Sequence, residues 1–193
     1  MLYKAVRGLL KPFWHLLFRL RVSGREHVSA SGPLILCCNH FAWADPITLA
    51  VSVRRQVHFM AKQEIFSAPI LGPLVPLLGA FPVKRGTADR ASLKQALAVL
   101  QRGEVFGIFP EGTRSRTREL MRPEVGVVWI AVRSRTPVVP MAITGDYRLG
   151  GPLVMRIGPP VDLSDLYEQK LTTETMEVGA TRIQESIAQL LAG

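Results

Sequence analysis

Hydrophobic positions change their spacing as the chain proceeds. Over residues 1–22 (MLYKAVRGLLKPFWHLLFRLRV), Lys4, Arg7, Lys11, His15 and Arg19 recur at steps of three or four, while Leu2, Val6, Leu9, Phe13, Leu17 and Leu20 take the other face. That spacing predicts an amphipathic helix lying in a membrane interface, cationic toward head groups and apolar toward acyl chains. The plainer alternative is a helix packed on its own domain. The interspersed charges keep every apolar stretch short of the roughly 20 residues that a spanning helix needs. Pro12 predicts a kink or a fresh start.

After Gly24 short apolar runs alternate with helical stretches. PLILCCN (33–39) reads as a strand buried on both sides, because its apolar run is continuous. Further strands are predicted over 57–62, 81–85, 104–110, 138–145 and 153–158. Asp45-Pro46 opens a helix, Asp as a cap and Pro in the first turn. Helices are also expected over 69–79, 88–102, 123–134 and 173–192, the last with Met176, Ala180, Ile183, Ile187 and Leu190 on one face. The alternation indicates an α/β fold: one domain over 23–193, with a largely parallel or mixed central sheet flanked by helices, preceded by the 1–22 amphipathic segment.

Composition adds two constraints. Twenty-four Lys and Arg against 15 Asp and Glu leave a formal charge of +9, which favours anionic partners: lipid, phosphorylated substrate, acidic carrier or nucleic acid. The only cysteines, Cys37 and Cys38, are neighbours in an apolar run, and neighbours on a strand point to opposite faces. No disulfide framework and no signal-peptide pattern are evident, which suits a reducing compartment.

CNHFAWADP carries the first candidate chemistry. His40 follows a buried strand and Asp45 sits at a helix start, where α/β proteins place reactive groups. An imidazole takes a hydroxyl proton near neutral pH, and a carboxylate on its other nitrogen fixes the tautomer. A cap role for Asp45 and a satisfied strand-end role for His40 remain open on this segment alone. GAFPVKRG puts Lys84 and Arg85 at a strand end, and FPEGTRSR puts Glu111, Gly112, Thr113, Arg114 and Arg116 after another. Parallel strands end on one edge, so these segments can converge on His40. Arg suits phosphate, Gly112 admits close backbone approach, and Glu111 suits orienting an arginine or binding a substrate hydroxyl.

NHFAWAD, FPVKRG, FPEGTRSR and VVPMAITG, in this order, resemble the four motifs of the PlsC-type glycerolipid acyltransferases, the family with the NHx4D motif that includes the 1-acylglycerol-3-phosphate acyltransferases. AKQEIF (61–66) resembles the segment between the first two, so the resemblance spans about 22–160. It implies acyl transfer from acyl-CoA or acyl-carrier protein, as co-substrate and without a cofactor or metal, to a lysophospholipid hydroxyl. On that reading 1-acylglycerol-3-phosphate becomes phosphatidic acid at the cytoplasmic membrane face. The resemblance also implies a peripheral enzyme with His40 as general base, Asp45 as its partner, and Lys84, Arg85, Glu111, Gly112, Thr113, Arg114 and Arg116 binding substrate. Two positions depart: Ala42 stands where relatives often have Ser, and Glu124 in RPEVG replaces a lysine-rich stretch, which bears on acceptor recognition. Alternatives are a different acceptor (glycerol-3-phosphate, an aminolipid or a glycolipid), an acyl-enzyme through Cys37 or Cys38, and a non-catalytic basic module on anionic membrane or nucleic acid. No nucleic-acid motif supports the last.

Overall fold

A computed structural model describes residues 2–69, 72–83 and 89–193. The chain opens with helix α1 (Leu2–Phe18), which continues through Pro12 on its exposed side. There follow β1 (Arg21–Ser23), β2 (Leu34–Cys38), α2 (Asp45–Ser52), β3 (Val57–Lys62), the short α3 (Gln63–Phe66) and α4 (Leu74–Leu77), β4 (Ala80–Val83) and α5 (Arg90–Gln101). The second half supplies β5 (Val105–Ile108), α6 (Gly126–Ser134), β6 (Val138–Gly145), β7 (Leu153–Ile157) and α7 (Thr173–Ala192).

The strands form one sheet in the order β1-β7-β6-β2-β5-β3-β4. All neighbours pair in parallel except β6 with β7, so the sheet is mixed, as the alternation of elements predicts. At its centre β2 is buried at every position, which explains its unbroken apolar run. Ile35 and Cys37 face a core shared with α5, α6 and α7; Leu34, Leu36 and Cys38 face a second core shared with α2 and α1. The result is three layers, helix, sheet, helix. The three-residue β1 and the short α3 escaped the sequence reading, being too brief for periodicity to register.

Helix α1 resolves into three stripes rather than two. Tyr3 is buried and Leu10, Trp14 and Phe18 pack on the second core. Two residues of the expected cationic face turn inward: Arg7 donates to the Val53 carbonyl at 2.7 Å, and His15 Nδ1 donates to the Leu20 carbonyl at 2.7 Å. Lys4, Lys11 and Arg19 stay exposed. Of the expected apolar face Leu20 is buried, whereas Leu2, Leu9, Phe13 and Leu17 remain exposed, joined by Leu16. Docking on the domain and an open apolar face thus coexist in one helix. Among the described residues no helix is long and apolar enough to cross a membrane.

Strands β2, β5 and β6 lie side by side with β2 and β5 in register, Cys37 beside Ile108. Their C-terminal ends share one edge, and the motif loops leave the sheet there. Strand β4 also runs parallel and ends at Val83. Lys84 and Arg85 lie outside the described residues, as do residues 70–71 of the helix expected over 69–79.

Candidate active site

Asn39 continues the sheet with its side chain where the backbone ladder stops. Its Oδ1 accepts from the Ile143 N–H at 2.8 Å and its Nδ2 donates to the Ile143 carbonyl at 3.1 Å. This mimicry of a strand residue fixes where the chain leaves β2, and His40 comes next.

His40 is held on every side but one. Its backbone N–H donates to Glu111 Oε1 (2.8 Å), and its carbonyl accepts from the Ser115 N–H (2.8 Å). Its ring stacks on Phe109, centroids 4.2 Å apart, and Phe109 stacks in turn on Phe59. Its Nδ1 lies 2.8 Å from Asp45 Oδ2. A carboxylate only accepts, so Nδ1 carries the proton and the neutral ring keeps its lone pair on Nε2. No described side chain bonds that Nε2.

Asp45 is fully buried and does not cap the helix it opens, contrary to the local reading. Its Oδ2 turns back into the preceding loop and accepts from the Phe41 and Ala42 N–H groups, both at 2.7 Å, beside the His40 ring. Its Oδ1 accepts from the Tyr147 hydroxyl at 2.8 Å. Four donors, two of them backbone, offset the cost of burying one carboxylate.

Glu111 is also buried, 5% exposed, and its oxygens are both taken by backbone donors, His40 N–H and Met121 N–H at 3.2 Å. Burial raises its carboxyl above the usual range against the lowering effect of those two bonds. Among the described residues the carboxylate meets no arginine; it braces the loop that carries His40. Gly112 follows with φ +66°, a left-handed turn that a side chain would strain, closed by its N–H on the Phe109 carbonyl.

Thr113, Arg114 and Arg116 are exposed, and the two arginines have no described protein partner, leaving both guanidinium forks free beside the clamped Ser115. Arg118, which the sequence reading passed over, is engaged. It donates to the Gly145 carbonyl (3.1 Å) and to Asp146 (3.3 Å), and lies over the Phe41 ring at 5.2 Å. His40, Asp45, Glu111, Gly112, Thr113, Arg114 and Arg116 therefore gather on two adjacent loops at one sheet edge. Pro140 of the fourth motif does not join them; it sits within buried β6, its carbonyl accepting from Gly158 N–H, and borders a groove of about 520 Å³ toward α7. Sequence reasoning gave no role to Asn39, Phe109, Ser115 or Tyr147, although the first three lie inside the quoted motifs NHFAWAD and FPEGTRSR and so carried a positional signal.

Both cysteines are completely buried, and burial pushes both thiols up, away from the thiolate that an acyl-enzyme would need. Among the described residues no cluster of His, Cys, Asp and Glu has the geometry to hold a metal ion.

Residues 19–144 match the family model described as Acyltransferase. The 1-acyl-sn-glycerol-3-phosphate acyltransferase of Bacillus subtilis is 34% identical over 170 residues, covering 85% of this chain and 84% of that protein. The lyso-ornithine lipid O-acyltransferase of Pseudomonas aeruginosa is 32% identical over 136 residues, covering 69% of this chain and 50% of that protein. The crystal structure of the 1-acyl-sn-glycerophosphate acyltransferase PlsC from Thermotoga maritima shares the fold, with a TM-score of 0.72 at 23% identity, covering 99% of this chain and 82% of that one. These likenesses agree with the resemblance that the motifs carry, and the chain belongs to the PlsC-type acyltransferase family, a family of O-acyltransferases.

Proposed function

We propose that the protein acylates the free hydroxyl of 1-acylglycerol-3-phosphate, giving phosphatidic acid, with acyl-CoA or acyl-carrier protein as donor. The observation that carries this reading is the His40–Asp45 pair, 2.8 Å apart, with Nε2 unblocked and Arg114 and Arg116 unpaired on the adjoining loop. His40 Nε2 takes the acceptor O–H proton as the oxygen attacks the thioester carbonyl. The tetrahedral intermediate collapses, the C–S bond breaks, and the departing thiolate receives the proton from the imidazolium. Asp45 stabilises that imidazolium. The guanidinium forks of Arg114 and Arg116 suit the acceptor phosphate. Lys84 and Arg85 take the same role on family grounds. Acids and bases suffice for this chemistry, so it requires no cofactor.

The acceptor is lipid, and the surface suits a peripheral membrane enzyme. Leu9, Phe13 and Leu16 of α1 are 65%, 52% and 77% exposed, and Trp43, in the loop between His40 and Asp45, and Leu149, in the loop between β6 and β7, are each more than 70% exposed. With a formal charge of +9 and the exposed Lys4, Lys11 and Arg19, an anionic bilayer is the partner that matches both features.

The test is mass-spectrometric detection of product from lysophosphatidic acid with acyl-CoA or acyl-carrier protein, beside His40→Ala. Product from the wild type and none from the folded variant supports the reading; an active His40→Ala variant overturns it. The Pseudomonas relative's name favours a second acceptor class, an aminolipid. Arg114→Ala separates the two, since it impairs turnover of a phosphate-bearing acceptor far more than that of a lyso-aminolipid.

A further inference from the structure

Behind the base runs a file of hydrogen bonds that the acyl-transfer steps above do not use. Trp14 Nε1–H donates to Thr48 Oγ1 at 2.8 Å, Thr48 Oγ1 lies 2.7 Å from the Tyr147 oxygen, and Tyr147 O–H donates to Asp45 Oδ1 at 2.8 Å. The residues come from α1, from α2 and from the loop between β6 and β7, so only the fold brings them together.

The direction of each proton follows from what each group can offer. Ionised Asp45 only accepts, which commits the phenolic proton to it. Burial and the nearby Asp45 charge push the Tyr147 ionisation up, so that hydroxyl stays a donor. Tyr147 then has no second proton, and its short contact with Thr48 requires the Thr48 proton. Thr48 has a competing acceptor in the Ala44 carbonyl, but at 3.3 Å. Trp14, a donor only, fills the remaining side of Thr48. Every proton in the file points toward Asp45, an arrangement in which successive bonds polarise one another.

Asp45 Oδ2 already accepts three donors, whereas Tyr147 is the single donor to Oδ1 among the described residues. The rotation of the carboxylate about its bond to the chain is therefore set at one end by the loop and at the other by Tyr147. Helix α1 reinforces that end twice, through Trp14 and through Phe18, whose ring meets Tyr147 edge-on at 5.5 Å. We propose that Tyr147 is a positioning residue for Asp45, braced through Thr48 by Trp14, so that the seating of the N-terminal helix governs alignment of the base. This inference rests on the reading of His40 and Asp45 as the reacting pair.

The experiment measures kcat and KM of the full chain with lysophosphatidic acid and acyl-CoA. Tyr147→Phe lowers kcat about tenfold, the rate equivalent of one hydrogen bond to a charged group, and leaves KM unchanged because it touches no substrate. Thr48→Val lowers kcat in the same way and Thr48→Ser, which keeps the hydroxyl, restores it; this pair carries the test if Tyr147→Phe does not fold. Trp14→Phe alone lowers kcat about two- to threefold and adds nothing in the Tyr147→Phe background, where the file is already cut. A folded Tyr147→Phe variant with wild-type kcat, an effect on KM alone, or multiplicative Trp14 and Tyr147 effects would overturn the proposal. His40→Ala separates the layers. If that variant is inactive while Tyr147→Phe matches wild type, the positioning role fails and the base stands; if it is active, the reading beneath both fails.

Discussion

Replacing Asp45 by Asn keeps the shape of the side chain and changes what its buried atoms can accept. An amide offers one acceptor oxygen and one donor group. Three donors converge on Oδ2, so the amide oxygen must sit there, and the NH2 then faces Tyr147, whose hydroxyl turns to accept. One bond reverses and three lose their charge assistance, which costs stability about 1–2 kcal/mol. The rate suffers more. A unit charge about 4 Å from the imidazolium contributes about 4 kcal/mol at an effective dielectric constant near 20, which is about 10³-fold in kcat. Asp45→Ala is a poorer probe, because it strands the half-buried Phe41 and Ala42 N–H groups, at up to about 1–3 kcal/mol each. Initial rates of phosphatidic acid formation, paired with melting curves, read both effects. A folded Asp45→Asn protein within tenfold of wild-type kcat would refute the electrostatic role.

Two further predictions concern the brace and the surface. Because burial holds the Glu111 carboxyl above its ordinary 4.5, the folded state binds the extra proton. Stability from this group is present below pH 4.5 and is lost as pH rises through the raised value; Glu111→Gln removes that segment from the pH dependence of the urea midpoint, and an unchanged profile counts against the assignment. Leu9→Glu with Leu16→Glu places charge on the open face of α1, and should abolish sedimentation with anionic liposomes while the urea midpoint moves by no more than about 0.5 kcal/mol of stability. Undiminished liposome binding would assign that face another occupant.

What the sequence disclosed and what it withheld have physical reasons. His40 and Asp45 were legible because only four residues separate them and the loop closes on its own backbone, so the pair is nearly a local motif. Strand β2 was legible because burial on both faces writes a continuous apolar run. The described partners of Glu111 are backbone N–H groups, which leave no trace in residue identity, and one of them lies 71 positions away. The file from Trp14 to Tyr147 spans separations of 34 and 99 residues, beyond any periodicity. Helix α1 showed two faces to a charge-and-apolar reading. Its third, of Tyr3, Leu10, Trp14 and Phe18, became visible only with a surface to pack on. The non-catalytic reading of the basic charge falls with membership of an enzyme family.

The bond from Ser115 N–H to the His40 carbonyl has a consequence for what the site can measure. Arg114 and Arg116 flank Ser115 in sequence, so the backbone that carries them is pinned directly to the backbone that carries the base. The two loops are thereby tied main chain to main chain, with the Glu111 carboxylate as a second tie between them. On the proposed function, an acceptor whose hydroxyl and anionic group match the reach from His40 to these arginines would be turned over, and one a few atoms longer would be held with its hydroxyl out of reach. On that reading, a change in loop length between Phe109 and Ser115 would move the arginines relative to His40 and shift the acceptor preference.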